Sequence, residues 1–439
     1  MASTSLPIYL FTFNCARLLI TPSIVATHLF SALDPSAPPP EIIAIGLQEV
    51  APISYAFLGG EYLLPYLDRW SSVPHLAAQY LHSVNKAFPA EYVELGRCTV
   101  GMTALLVFGR RAERVKNLRF GSVGFGFFGM ANKGAVAVRF GYSVDEGEEV
   151  GVTIVATHLA AHEHCCTDRN GDWETLSRGV IFETPASGEN TESTPLLSES
   201  TVGGRETSGI YQKSSHLLVM GDLNYRTSHT SPTPEDLPSF PRRKSDDFTQ
   251  FFKRDQLTRE LNAGNTLHGL TEAPITFPPT YKYREDILSL LEDTEVGSTD
   301  KHSDSDEILD WSRNRWPSWC DRILWLPVSP SSSKEEEIKV HKYTSIPEIR
   351  FSDHKPVGLH ISLPLITTPK SLAGDNNDLR TNPPFPLDKD WKAKRYNAQV
   401  KEWVVGYAIL VATTANGLTL LGCMVLGAGM LWWGVTGRV

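Results

Sequence analysis

The chain has 439 residues, of which 41% are apolar and 21% are charged, and its formal net charge is −9. This composition is typical of a folded protein with a large core, which excludes a disordered or collagen-like chain. The negative net charge argues against a general nucleic-acid-binding surface, although a local basic pocket is compatible with it.

The cysteines and the N-terminal stretch indicate a cytosolic protein. The six cysteines show neither Cys-x-x-Cys spacing nor the pattern of a secreted disulfide-rich module, so we expect reduced thiols, with Cys423 in lipid. Asn14 and Arg17 interrupt the apolar stretch at residues 6–20, and no basic region precedes it. We therefore do not expect a signal peptide.

Several short apolar runs, predicted to be strands, end at polar residues of the kind that carry catalysis. They cover residues 7–14, 42–47, 103–108, 135–140, 152–156 and 217–220. The polar residues at or just beyond these ends include Asn14, Glu49, His158, Asp222 and Asn224. Each alone fits a turn or a surface position. Together they predict an active site at the rim of a sheet.

The chemistry of these side chains suits hydrolysis. Asp222 can accept a proton from water, and Asn224, two residues on, can hold that water or a phosphate oxygen. A carboxylate such as Glu49 is a ligand that Mg²⁺ prefers.

Residues 123–130, which read Val-Gly-Phe-Gly-Phe-Phe-Gly-Met, are too rich in glycine for a packed helix. They fit either a buried bend or an exposed apolar loop that dips into a bilayer, and the sequence slightly favours the buried bend.

The second half of the chain alternates predicted insertions with polar motifs. Residues 183–215 are predicted to be a disordered insertion and residues 285–310 a second, acidic one. Arginines and tryptophans alternate in residues 313–325, where a guanidinium can bind phosphate with two hydrogen bonds. An Asp-His pair, Asp353 and His354, precedes the last predicted strand.

Six motifs in this order resemble the inositol polyphosphate 5-phosphatases of the endonuclease/exonuclease/phosphatase superfamily. The resemblance covers residues 6–365, and its specific signatures are Gly-Asp-Leu-Asn-Tyr-Arg at 221–226 and Pro-Ser-Trp-Cys-Asp-Arg-Ile-Leu at 317–324. The other four motifs lie at 47–49, 132–134, 157–162 and 352–357. Phe13 and Met220 stand where the family usually has tryptophan, and the two insertions are unusual.

The resemblance implies a DNase I-like, four-layer α/β sandwich and a role for each motif residue. By resemblance, Glu49 and Asn14 bind Mg²⁺ and Asp353 lies near it, while Asp222 takes the proton from a water that Asn224 orients. His354, positioned by Asp321, and His158 stabilise charge on the phosphoryl oxygens. The implied substrate-binding residues are Asn132, Lys133, Asn170, Tyr281, Lys282, Arg313 and Arg315, of which the last four match the family's grip on the 4-phosphate.

The C-terminal part is predicted to anchor the protein in a membrane. Residues 403–437 contain no charged side chain, and tryptophans stand near both ends, so we predict a membrane span over 403–435, with a hairpin as the alternative. The basic residues just before it place the catalytic domain in the cytosol. Residues 366–402 are predicted to be a tether, and the resemblance to short tail-anchored fungal members suggests the endoplasmic reticulum.

These observations predict a Mg²⁺-dependent phosphatidylinositol 4,5-bisphosphate 5-phosphatase whose partners are a phosphoinositide lipid and the bilayer. The alternatives are an enzyme for soluble inositol phosphates and a catalytically weak phosphoinositide-binding tether. A sphingomyelinase or nuclease of the same superfamily is disfavoured by the signature at 317–324 and by the negative charge.

Overall fold

The computed structural model describes residues 5–143, 149–183, 207–213, 215–284, 308–328, 337–365 and 378–436. Its strands in chain order are β1 (Ser5–Asn14), β2 (Ile42–Gln48), β3 (Val93–Val100), β4 (Thr103–Gly109), β5 (Val115–Gly124), β6 (Gly134–Ser143), β7 (Glu149–His158), β8 (Phe182–Glu183), β9 (Thr207–Ser208), β10 (Ser215–Asp222), β11 (Thr271–Glu272), β12 (Asp321–Trp325), β13 (Lys339–Ser345) and β14 (Val357–Pro364). Its helices are α1 (Pro22–His28), α2 (Ile53–Leu58), α3 (Gly60–Val84), α4 (Cys166–Gly179), α5 (Thr249–Phe252), α6 (Gln256–Asn262), α7 (Trp391–Thr413) and α8 (Ala415–Thr436).

Two six-stranded mixed sheets pack face to face. The first has the strand order β13-β14-β1-β2-β4-β3 and the second the order β11-β12-β10-β7-β6-β5. Two neighbouring pairs are parallel, β1 with β2 and β7 with β10, and the other pairs are antiparallel.

The period-two pattern of the strands explains the layers. In β1, Leu10 faces the second sheet, whereas its neighbour Phe11 faces the helices and packs near Trp70 of α3. On the outer side of the second sheet, Val219 packs in one cluster with Trp173 of α4. The result is the predicted four-layer α/β sandwich.

The glycine-aromatic loop differs from the preferred prediction of a buried bend. The side chains of Phe127 and Phe128 are 69% and 71% exposed, and the backbone of Phe128 has a positive φ of 55°. Val123 and Phe125, at the start of the stretch, pack against the core, and Met130 at its end is buried. The tip is therefore an exposed apolar loop, because its glycines turn the chain outward between β5 and β6.

The predicted disordered insertions lie largely outside the described residues, at 184–206 and 285–307. The described end of the first one is packed. Its strand β9 pairs with β8, and Ile210 is 1% exposed. Residues 207–213 were predicted to belong to the insertion because their neighbours are polar. Their apolar side chains instead pack them on the domain.

The C-terminal region also differs from its predicted boundaries. The described part of the predicted tether, 378–402, lies on the catalytic domain, and Ala398 and Glu402 of α7 are buried there. The helix breaks at Thr414, where the backbone is extended. Residues 415–433 of α8 form one helix that is long and apolar enough to cross a membrane, and residues 403–413 lie before it in α7.

Candidate active site

Strand register brings the polar strand ends together. In the parallel pair of β7 and β10, His158 stands opposite Asp222, and in the antiparallel pair of β10 and β12 the same Asp222 stands opposite Asp321. In the first sheet, Asn14 stands opposite Gln48, the residue before Glu49. Because these strands end at the same edge of the sandwich, the predicted catalytic groups form one cluster.

Asp222 is the centre of this cluster and is 1% exposed. Its Oδ2 accepts a hydrogen bond of 2.9 Å from Nδ2 of Asn14 and lies 3.1 Å from Nε2 of His158. Nε2 of His354 is 3.8 Å from the same oxygen. Burial acts to raise the pKa of Asp222, but the charge of His354, the hydrogen bond with His158 and the charge of nearby Lys133 outweigh it and lower the pKa. Asp222 is therefore an ionised acceptor surrounded by donors.

His354 and Asp321 form a buried pair beside Asp222. Nδ1 of His354 donates to Oδ2 of Asp321 over 2.9 Å, and the same oxygen accepts a 2.7 Å hydrogen bond from the hydroxyl of Thr280. Burial alone would lower the pKa of His354, but the facing carboxylates of Asp321 and Asp222 raise it to about 9. The imidazole consequently carries a positive charge at neutral pH.

Lys133 and His158 form the second basic pair. Nζ of Lys133 contacts Nε2 of His158. Burial is the main cause that lowers the pKa of both groups, and for His158 the positive charge of Lys133 adds to it. The pKa of His158 is therefore lowered and that of His354 raised, so the two histidines beside Asp222 differ in their protonation.

The donors of a hard divalent cation are present at this edge. The carboxylate of Glu49 is 24% exposed, with Arg17 at 3.0 Å, and Oδ1 of Asn14 accepts one backbone hydrogen bond from Ala16. Such oxygen donors fit Mg²⁺ or Ca²⁺. Asp353, the third predicted metal residue, instead binds Nζ of Lys282 with Oδ2 at 2.6 Å.

Among the described residues, Asp222, Asp321 and His354 also place three ligand atoms within 4.8 Å of one another. Both ring nitrogens of His354 face carboxylates of this trio, Nδ1 at 2.9 Å from Asp321 and Nε2 at 3.8 Å from Asp222, so the three side chains form an ion-paired cluster.

The predicted 4-phosphate residues lie on two adjoining segments. Tyr281 stacks against His354 with ring centroids 4.5 Å apart and is buried, so it supports the histidine. The amide of Ser312, next to exposed Arg313, donates to the carbonyl of Lys282. Arg315 lies farther along the rim, with Nη2 3.2 Å from Nδ1 of His162.

Three predicted site residues have side-chain hydrogen bonds to other protein groups. Asn170 donates to Glu260 and accepts from the hydroxyl of Tyr225, so both ends of its amide are used. Asn224 donates to the carbonyl of Leu159 and accepts from Arg226. Oδ1 of Asn132 accepts from the amide of Phe127.

Sequence reasoning missed two supporting residues. Thr280 bonds Asp321, as described above. Arg226 is 2% exposed and stacks over Tyr281 at 4.2 Å, and its Nη1 has no hydrogen-bond partner among the described residues. A buried guanidinium with a free donor beside Asp222 suits an incoming phosphate. The feature of the sequence that could have indicated Arg226 is its position in the signature at 221–226.

The fold and the cluster define a DNase I-like α/β protein with a phosphohydrolase-type site. The sequence model of endonuclease/exonuclease/phosphatase family 2 matches residues 11–360, and the chain belongs to this family.

Two similar proteins have names that describe 5-phosphatases. The chain is 30% identical over 269 residues to inositol-1,4,5-trisphosphate 5-phosphatase 1 of Schizosaccharomyces pombe, covering 61% of this chain and 19% of the relative. It is 30% identical over 273 residues to a phosphatidylinositol 4,5-bisphosphate 5-phosphatase of Saccharomyces cerevisiae, covering 61% and 22%. The chain thus spans about a fifth of the length of these relatives. The resemblance predicted from the motifs is confirmed.

A solved structure confirms the fold. It is the inositol polyphosphate 5-phosphatase domain of synaptojanin, in complex with inositol (1,4)-bisphosphate and calcium ion, and it covers 91% of each chain with a TM-score of 0.56 and 22% identity.

Proposed function

We propose that this protein is a Mg²⁺-dependent phosphoinositide 5-phosphatase that converts phosphatidylinositol 4,5-bisphosphate to phosphatidylinositol 4-phosphate at a membrane surface. The observation that carries the proposal is the buried cluster in which Asp222 meets His158 and His354. The names of the relatives, which are 5-phosphatases of inositol phosphates and phosphoinositides, support the substrate class.

In the proposed reaction, Asp222 orients the attacking water and accepts its proton. The carboxylate is ionised, and Asn14 fixes it through the hydrogen bond to Oδ2. Water becomes much more acidic as its oxygen bonds to phosphorus, so a carboxylate of low pKa accepts the proton in the transition state.

Cationic groups stabilise the phosphoryl oxygens. His354, held charged by Asp321, presents Nε2 next to Asp222, and Nη1 of Arg226, which has no hydrogen-bond partner in the part of the chain that the structure describes, adds a donor. Preorganised charges in a buried site stabilise a transition state more than they would in water.

Glu49 and Asn14 would hold a divalent cation, and such a cation would supply neutralisation of the charge on the phosphoryl group. The half-buried carboxylate of Glu49 and the amide oxygen of Asn14 are the kind of hard ligands that Mg²⁺ prefers.

Selectivity for the 4-phosphate is assigned to Lys282, Arg313 and Arg315. Lys282 is 31% exposed, and the bond from the amide of Ser312 ties its segment to that of Arg313. A 4-phosphate would gain charge-assisted hydrogen bonds from these cations that a substrate without it cannot make, so the 4,5-bisphosphate binds more tightly.

The proposed anchor is a single span at 415–433, with the catalytic domain in the cytosol. Lys392, Lys394, Arg395 and Lys401 on α7 precede the span, in keeping with the positive-inside tendency. The endoplasmic reticulum is proposed from the resemblance to tail-anchored members. A chain ending at Thr414 should become soluble, whereas a chain that remains in the membrane fraction would contradict this anchor.

Phosphate release from a substrate panel tests the function. The panel holds short-chain phosphatidylinositol 4,5-bisphosphate, the 5-phosphate without a 4-phosphate, and soluble inositol 1,4,5-trisphosphate, each with Mg²⁺ and with a chelator. We expect turnover only with the metal, fastest on the 4,5-bisphosphate lipid. Faster turnover of the soluble headgroup would favour the alternative of an inositol phosphate enzyme, which one relative's name supports.

A further inference from the structure

The loop that ends in Lys133 is closed by its own backbone. The amides of Phe125 and Gly126 both donate to the carbonyl of Lys133, and the carbonyl of Ala131 accepts from the amide of Met102. Since Nζ of Lys133 contacts His158, which lies 3.1 Å from Asp222, a shift of this loop moves a group in the catalytic cluster.

A carboxylate from α7 holds this loop from the outside. Oε1 of Glu402 accepts a 2.8 Å hydrogen bond from the amide of Ala131 and a 2.9 Å bond from Nη1 of Arg395. Glu402 is 2% exposed. Burying a carboxylate is costly unless it is paired, so the two donors are what permit Glu402 to lie here.

The helix is docked at a second point one turn farther on. A Cβ at Gly406 would lie 3.0 Å from Cγ of Leu58 and 3.2 Å from Cβ of Phe57, both on α2. Because Gly406 allows this close approach, α7 packs directly on α2. This packing also sets the position of the Glu402 carboxylate relative to Ala131.

We propose that Glu402 is a positioning residue for the reaction, acting through Ala131 on Asn132 and Lys133. The helix that leads toward the candidate membrane span is therefore also a part of the catalytic domain. This inference rests on the proposed 5-phosphatase function, and it adds a group that lies more than 260 residues along the chain from the loop it holds.

Steady-state kinetics of full-length variants in detergent micelles test the proposal on short-chain phosphatidylinositol 4,5-bisphosphate. We expect Glu402→Ala to lower kcat by about 10- to 100-fold with little change in KM, since a displacement of about 1 Å near the reacting groups can cost about 100-fold. Glu402→Gln keeps an acceptor for Ala131 and should retain most of kcat. Asn397→Ala, at an exposed position on the same helix, is the matched control and should leave kcat unchanged.

A purely structural role gives a different pattern. In that case Glu402→Ala lowers the melting temperature but leaves kcat per folded molecule at the wild-type value, and this result would overturn the proposal. If Glu402→Ala does not fold, Glu402→Asp serves instead. It keeps the charge for Arg395 but withdraws the carboxylate from Ala131 by one methylene, so kcat should fall several-fold, and an unchanged kcat is the contradicting result.

Amide hydrogen exchange separates this inference from the proposed function. The peptide covering residues 125–133 should exchange faster in Glu402→Ala or Glu402→Asp than in the Asn397→Ala control, whether or not the wild type cleaves the lipid. Equal exchange would refute the positioning role. A wild-type protein that is inactive on every phosphoinositide would refute the proposed function. The exchange rates would still test whether Glu402 holds the loop at residues 125–133.

Discussion

Replacing Asp321 by asparagine isolates the charge that holds His354 in its cationic form. Oδ2 of Asp321 accepts from His354 and Thr280, whereas its buried Oδ1 has no partner among the described residues. Asparagine can keep a carbonyl oxygen at the first position and place its NH₂ group at the second. The geometry should therefore persist while the negative charge is lost.

The magnitude follows from the difference between charged and neutral hydrogen bonds. A hydrogen bond to a charged group contributes about 1.5–3 kcal/mol and a neutral one about 0.5–1.5 kcal/mol. Losing the charge on Asp321 should thus cost about 1–2 kcal/mol of transition-state stabilisation, which is a loss of roughly 5- to 30-fold in kcat/KM. We expect the fold to be retained, because both hydrogen bonds to Oδ2 can still form.

The assay is phosphate release from short-chain phosphatidylinositol 4,5-bisphosphate, with the melting temperature measured on the same samples. Thr280→Val is the control, because it removes one hydrogen bond to the same oxygen but leaves the negative charge that faces His354, so its loss should be smaller. Wild-type kcat/KM in Asp321→Asn, or a greater loss in Thr280→Val, would refute the assignment of Asp321 as the residue that charges and orients His354.

Three further predictions concern catalysis, selectivity and acid stability. Asp222→Ala or His354→Ala should lower turnover by about 10²–10⁴-fold with the domain still folded by circular dichroism, and losses of a few-fold would argue against their roles. Lys282→Ala and Arg315→Ala should each cost on the order of 1.5–3 kcal/mol on the 4,5-bisphosphate but much less on a substrate without the 4-phosphate, so equal losses would point to folding or general phosphate binding. Burial lowers the pKa of His216 to about 4, so the unfolded chain binds the extra proton between pH 6.5 and 4. Stability should therefore fall on acidification by about 1.4 kcal/mol per pH unit for this group, and the melting temperature of His216→Gln should depend less steeply on pH over that window.

The ends of the strands could be predicted because the apolar run of each strand and the first polar residue after it are visible in the sequence. A strand buried on both faces reads as an apolar run, and the first polar residue after it marks the rim of the sheet. That argument located Asn14, His158 and Asp222, which the register then brought to one edge. Their contacts depend on pairing between distant strands, so the motif order and the family resemblance were needed to group them.

The roles of polar residues inside the motifs were harder to predict. A sequence shows that Asn170 and Asn224 are polar but not which partners satisfy their amides, and the structure gives both of them protein partners. Arg226 shows the converse, since its buried Nη1, unpaired within the described segments, can be recognised only when its neighbours are known.

The predicted boundary between the tether and the membrane span differs from the structure for a related reason. Hydropathy identifies an apolar stretch, but it does not show whether the residues before that stretch dock on the domain. Glu402 reads as a charged residue before an apolar segment, yet it is buried through its bonds to Ala131 and Arg395. Only a tertiary contact distinguishes a docked helix from a tether.

The position of the phosphate removed tests the central claim most directly. Short-chain phosphatidylinositol 4,5-bisphosphate is incubated with Mg²⁺ and the full-length protein, with the Asp222→Ala variant in parallel, and the monophosphate product is resolved by chromatography. The account predicts phosphatidylinositol 4-phosphate from the wild type and almost no product from the variant. Phosphatidylinositol 5-phosphate as the product, or equal turnover by the variant, would contradict the account.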